Sequence, residues 1–242
     1  MSLRREPGRV VIVLKTKHVQ AVAMALAGAI VGVGLFFLVK PLVPSLDSTS
    51  ADGVADSVSW LEAPRIDVAV EGRPSLGSAD APVTIVEFTD YGCSVCRRHA
   101  TDVLPALLDT LGTSIHYVVR HFPIPGLTPN GMLAAIASEC AHEQGLFWEY
   151  KQALLGEAAG FDGERLRARA ATVGLDRAEF DACLEGEAAR ETVQRDILDA
   201  WDHGVTGTPT FFVNGRRFQG ARPLGELAEY VRLAMIEAEG LH

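Results

Sequence analysis

An α/β domain with an all-helical lobe inserted in its middle, preceded by a single membrane-spanning helix, is the architecture this sequence predicts. Three observations carry that expectation. Beyond residue 64 the elements read strand, helix, strand, helical block, hairpin, helix. The helical block is one long stretch, Asn130–Asp202, broken by glycines. Ahead of the whole series lies an uncharged apolar run. A sheet with helices packed on it, interrupted by a helical lobe, is the economical way to bury the apolar face of each element.

The apolar run is Val19–Val39, VQAVAMALAGAIVGVGLFFLV, 21 residues in which only Gln20 is clearly polar. A helix rises 1.5 Å per residue, so about 20 such residues cross about 30 Å of hydrocarbon. A cleaved signal peptide would have a shorter core of about 7–15 residues and a small-residue cleavage site. This run instead ends in LFFLVKPLVP, which favours an uncleaved anchor. Residues 1–18 carry Arg4, Arg5, Arg9, Lys15 and Lys17 against Glu6 alone. Positive charge stays on the cytoplasmic side, so the expected topology is single-pass in the cell membrane, with an extracytoplasmic body.

Net charge over the 242 residues is −9, but from Lys40 onward there are 17 bases and 30 acids. An acidic body lacks the basic footprint that nucleic acid requires. Residues 40–64 are rich in Ser, Asp, Pro and Ala and read as a flexible linker. The expected organisation is therefore a basic tail (1–18), a span (19–39), a linker (40–64) and a folded domain (65–240), with the helical insertion at about 126–203.

Within the domain, Val83–Thr89 is β-branched and aromatic, bounded by Pro82 and Asp90–Gly92, and predicts a strand. Arg97–Leu111 has helical spacing, with Pro105 as a kink. Ser114–Phe122 (SIHYVVRHF) is a second strand. Helices follow at Asn130–Gln144, Leu146–Leu155, Glu164–Val173, Arg177–Leu184 and Ala188–Asp202, separated at Gly145, Gly156, Gly163, Gly174 and Gly186. Thr210–Val213 and Arg217–Gln219 flank Asn214-Gly215, a strong two-residue hairpin signal. A last helix runs from Leu224 to about Glu239.

Four cysteines are present, and outside the cytoplasm thiols meet oxidising conditions. Cys93 and Cys96, spaced C-x-x-C, fall where a strand passes into a helix. The first turn of a helix offers unpaired N–H groups and the positive end of its dipole, which favour a thiolate. Cys93 at the exposed lip is the expected nucleophile and Cys96, one turn in, the buried resolving thiol. Arg97, Arg98 and His99 add positive charge nearby. The alternatives are an inert disulfide and a zinc site built from Cys93, Cys96 and His99. No second C-x-x-C or His pair completes a familiar zinc set, so neither metal nor cofactor is expected.

Glu87 shares a strand face with Val83 and Ile85. In a central strand its carboxyl would be buried near the dithiol, titrate high, and relay the proton of Cys96. Cys140 and Cys183 lie on helices of the block and are either disulfide-bonded or separate buried thiols. Bonding them would close a loop worth about 3–4 kcal/mol in chain entropy.

EFTDYGCSVC, followed far downstream by GVTGTPTFFVNG (Gly204–Gly215), resembles the thioredoxin superfamily, and more closely its membrane-anchored DsbA-like thiol–disulfide oxidoreductases. The likeness covers about residues 65–240. It implies a thioredoxin-like fold, an attacking Cys93, a resolving Cys96 and a buried acid at Glu87. It also implies a substrate-binding loop at Thr208-Pro209 with a cis peptide bond, and a structural Cys140–Cys183 disulfide. Ser94-Val95 stands between the cysteines in place of the Pro-His of the best-known oxidant. The resemblance further implies reduced or misoxidised exported proteins as substrates, and reoxidation by a DsbB-like or vitamin K epoxide reductase-like membrane partner. A reductase or isomerase on this scaffold, or a peptide-binding chaperone-like module, are the competing readings.

Overall fold

A computed structural model of the chain describes residues 2–6, 9–13, 60–156 and 160–240. The chain divides into two units, Met1–Ser50 and Ala51–His242. In the first, strands β1 (Ser2–Glu6) and β2 (Arg9–Val13) pair antiparallel, from Ser2 opposite Val13 to Glu6 opposite Arg9. The apolar run Val19–Val39 lies outside the described residues. Among the described residues no helix is long and apolar enough to cross a membrane.

The second unit is built on a five-stranded mixed sheet. Its strands are β3 (Ser75–Leu76), β4 (Val83–Thr89), β5 (Ile115–His121), β6 (Thr210–Val213) and β7 (Arg216–Gln219), in the order β3-β5-β4-β6-β7. β4 runs parallel to β5, from Val83 opposite Ile115 to Thr89 opposite His121, and antiparallel to β6, with Glu87 opposite Phe211. Both faces of β4 and β5 are covered, as the dense apolar character of VTIVEFT and IHYVVRH requires. β6 turns into β7 through Asn214 and Gly215, both with positive φ (44° and 83°), the geometry of a two-residue hairpin turn.

Between β4 and β5 the chain forms helix α1 (Ser94–Arg98), a π-turn (His99–Val103) and helix α2 (Leu104–Leu111). Five helices follow: α3 (Gly131–Glu143), α4 (Phe147–Gly156), α5 (Gly163–Val173), α6 (Arg177–Glu185) and α7 (Ala188–Asp202). They form the inserted lobe. Helix α8 (Leu224–Ala238) returns to the sheet. One sheet face packs Val83, Ile85, Tyr117 and Phe211 against α2 and α8. The opposite face packs Val86, Phe88, Val118 and Phe212 against Ala200 of α7. The lobe has its own core, centred on Ile136, Tyr150, Leu154, Leu166 and Phe180.

Two devices hold the lobe together and to the sheet. A disulfide joins Cys140 on α3 to Cys183 on α6. Arg120 on β5, fully buried, pairs with Asp196 and Asp199 of α7, and Arg73 reaches the same Asp196 at 2.8 Å. Buried charges are tolerated only when paired in this way.

Two expectations need correction, and one element was not foreseen. The folded domain does not wait for Arg65: Trp60 is 6% exposed, packs at a tilt against Tyr230 with ring centroids 4.8 Å apart, and donates its indole N–H to the Arg216 carbonyl. The assigned linker therefore ends before Trp60, because a tryptophan in a polar stretch finds its burial only through tertiary packing. The helical irregularity lies ahead of Pro105 rather than at it. Pro105 has no N–H to give the preceding turn, and the chain answers with the wider π-turn, in which Leu104 N–H reaches back to His99. Finally, the two-residue edge strand β3 has too little pattern to be read from sequence.

The disulfide closes a separation of 43 residues. Replacing Cys140 and Cys183 together by Ala should lower stability to chemical denaturation by about 3–4 kcal/mol. A loss below about 1 kcal/mol would show that the lobe is held by packing alone.

Candidate active site: a dithiol at a helix start

Beyond β4 the chain is turned by Asp90. Its carboxylate accepts from Gly92 N–H at 2.8 Å and Ile124 N–H at 2.9 Å, and its carbonyl accepts from Cys93 N–H at 3.1 Å. Gly92 is required here: a Cβ would sit 1.7 Å from the Thr128 hydroxyl, so no other residue lets the two loops meet. The turn delivers Cys93 in extended conformation as the N-cap of α1, its sulfur accepting from Cys96 N–H at 3.4 Å. A groove of about 370 Å³, lined by Gly92, Arg97, Thr128, Asn130 and Phe161, opens beside this turn.

The two sulfurs have opposite surroundings. Cys93 is half-buried and Cys96 is 1% exposed. A hydrogen bond from the Cys96 thiol, helped by the N–H groups of Cys96 and Val95, outweighs burial and brings the Cys93 thiol down to about 5. Burial, the same hydrogen bond and the charge of Glu87 push Cys96 far up. The peptide bond Thr208-Pro209 is cis, and the Thr208 carbonyl lies 3.4 Å from Cys93 Sγ, accepting from it when that thiol is protonated. Thus the sequence-distant Thr208-Pro209 loop stands directly against Cys93.

Glu87 is fully buried on the Ile85 face of β4, as its position in the strand predicts. The expectation that it titrates high is overturned. Burial alone would raise it, but Lys151, His99 and the Tyr117 hydroxyl together hold it below the usual carboxylate value. Tyr117 donates to Glu87 Oε2 at 2.8 Å, and Lys151 Nζ lies 3.3 Å from the same oxygen. His99 is likewise corrected. Rather than adding positive charge near the thiols, it is buried, with its Nε2 3.0 Å from Tyr117 Oη, and burial holds it below the ordinary imidazole range. Arg97 donates to the Leu155 carbonyl at 2.5 Å, tying α1 to α4. Among the described residues no group of three or more His, Cys, Asp or Glu side chains is arranged to hold a metal ion.

The sequence reading missed Tyr117, His99 and Lys151 as partners of Glu87. One signal was present. Lys151 is the only lysine beyond Lys40, and it lies on the face of α4 that also carries Phe147, Tyr150, Leu154 and Leu155. A charged group on an apolar face requires a buried partner.

Residues 69–232 match the model of the family described as Thioredoxin. The chain belongs to the thioredoxin family. Within that family its fold, with the helical insertion, is that of the DsbA-like proteins. A thioredoxin-like oxidoreductase from Silicibacter pomeroyi DSS-3 is 29% identical with a TM-score of 0.62, over 68% of this chain and 92% of that one. BdbD from Bacillus subtilis, 23% identical, superposes with a TM-score of 0.64 over 72% of this chain and 98% of that one. The Na(+)/H(+) antiporter NhaA of Herminiimonas arsenicoxydans is 41% identical over 145 residues, covering 60% of this chain and 23% of the antiporter. The chain spans less than a third of the length of the curated relatives it matches.

In this thioredoxin-family domain, the reduced protein should show a thiolate absorbance transition near pH 5 that is lost in Cys93→Ser. A midpoint near the ordinary thiol value of about 8.5 would contradict the asymmetry of the two sulfurs.

Proposed function

We propose that this protein is a membrane-tethered thiol–disulfide oxidoreductase that donates the Cys93–Cys96 disulfide to exported proteins outside the cytoplasm. A substrate thiolate attacks Cys93 Sγ. The Cys93–Cys96 bond breaks, Cys96 leaves with the electron pair and takes up a proton, and a mixed disulfide remains on Cys93. A second substrate thiolate attacks the substrate sulfur of that mixed disulfide, the substrate disulfide forms, and Cys93 leaves as a thiolate. A membrane redox partner, DsbB-like or vitamin K epoxide reductase-like, then restores the enzyme disulfide.

The observation that carries this reading is the asymmetry of the dithiol: Cys93 caps α1 half-buried, its sulfur accepting from Cys96 N–H at 3.4 Å, while Cys96 is buried, an arrangement that lowers Cys93 to about 5 and raises Cys96. A low-pKa Cys93 stabilises the reduced enzyme and leaves readily, both of which favour giving a disulfide away. The cis Thr208-Pro209 turn beside Cys93 supports docking of an extended chain by strand-like pairing with the Thr208 backbone. Cys93, Cys96 and Glu87 are the catalytic set; Thr208 and Pro209 bind substrate; Cys140–Cys183 is structural. The uncharged run Val19–Val39 after a basic tail supports the tether and the orientation. Antiporter relatives that join a matching segment to a membrane protein support a membrane setting.

Oxidised protein added to a reduced, unfolded multi-disulfide substrate should form disulfides in it, and Cys93→Ala should abolish that activity. Unchanged activity in Cys93→Ala would end the proposal.

A further inference from the structure

Beneath the dithiol, three side chains from three elements make one line of hydrogen bonds. Lys151 Nζ stands 3.3 Å from Glu87 Oε2, an ion pair in which the carboxylate only accepts. The single hydroxyl hydrogen of Tyr117 is therefore committed to Glu87 Oε2, at 2.8 Å. The Tyr117 oxygen is left to accept, so His99, 3.0 Å away, must donate from Nε2. Its Nδ1 is then bare, and that atom indeed has no partner although it is fully buried. Burying an imidazole with an unpartnered nitrogen carries a desolvation penalty that an apolar ring at this position would avoid. The bond to Tyr117 is what His99 offers in return. Meanwhile Glu87 Oε1 is buried without a hydrogen-bond partner.

We propose that His99 and Tyr117 are positioning residues for the resolving step: their one-way chain of hydrogen bonds fixes Glu87 as a carboxylate with Oε1 open to take the proton of Cys96. The inference rests on the exchange reading above. In the step concerned, Cys96 gives its proton to Glu87 and its sulfur attacks Cys93 Sγ of a mixed disulfide. The Cys93–Cys96 bond forms, and the partner sulfur leaves with the electron pair. The groups facing this carboxylate are Cys96 from α1, Tyr117 from β5, Lys151 from α4, His99 from the π-turn and Thr89 on its own strand. Phe211 of β6 closes the site over His99, with ring centroids 4.6 Å apart. Because Glu87 must be ionised to act, resolution should rise with pH through its titration. Removing a donor weakens the carboxylate and moves that limb to higher pH.

The test mixes reduced protein with oxidised glutathione between pH 2.5 and 8, quenches with acid, and follows the Cys93–glutathione mixed disulfide by mass. Tyr117→Phe should move the acid limb of resolution up by about one pH unit. His99→Phe should also move it up, and by less when Tyr117 is already Phe than in the wild-type background. His99→Gln, which keeps an N–H donor toward Tyr117 and a polar character, should retain the wild-type limb. The pH profile of the first attack by Cys93 should stay in place in every variant. The inference is overturned if His99→Phe leaves the limb where it is, shifts it equally in the Tyr117→Phe background, or is matched by His99→Gln. If the wild-type protein forms no mixed disulfide at any pH, the exchange reading and this inference fail together.

Discussion

The hydrogen bond that the Cys96 N–H gives to the sulfur of Cys93, at 3.4 Å, is the interaction on which the rest of this site depends. Together with the Cys96 thiol it brings the Cys93 thiol down to about 5, while burial above all pushes Cys96 up. The bond exists because a sharp turn, fixed by Asp90 and permitted by Gly92, places Cys93 as the cap of α1 instead of inside it. A group whose pKa falls on folding contributes most above its unfolded value, about 8.5 for a thiol. That contribution declines below this value and is lost as pH falls through about 5. The reduced form is thereby favoured at neutral pH, as the proposed donation of a disulfide requires.

The inserted lobe does more than cover the sheet. Lys151 comes from α4, and it supplies the charge that keeps Glu87 ionised at full burial. Arginine serves at nearly every other basic position of the domain, so the sole lysine beyond Lys40 stands out chemically. Unlike a guanidinium, an ammonium is a compact point charge. Arg97 on α1 and Leu155 on α4 tie the same helix to the cysteine turn, while Arg120 and Asp196 anchor α7 to β5. Lobe and dithiol are therefore mechanically and electrostatically joined.

Much of this was legible in the sequence where the cause is local. β4 is bounded by Pro82 and the Asp90–Gly92 turn, and the Asn214-Gly215 hairpin declares itself through residues that tolerate positive φ. The C-x-x-C at the end of a strand already located the site, and the strand period already placed Glu87 on the inner face. What could not be read were properties created by packing. Lys151 is 64 residues from Glu87 and Tyr117 is 30, and neither spacing has any local signature. The direction of the Glu87 shift followed from those unseen partners, so burial alone gave the wrong sign. Trp60 and β3 failed for the same reason, since each acquires its structure only from tertiary contacts.

The reduction potential of the Cys93–Cys96 pair, measured in glutathione buffers at neutral pH, tests this most directly. A thiolate stabilised as described predicts an oxidising pair, with a potential nearer to about −120 mV than to about −270 mV. A value at or below about −270 mV would mean that the reduced form gains nothing from its surroundings, and the account would be wrong.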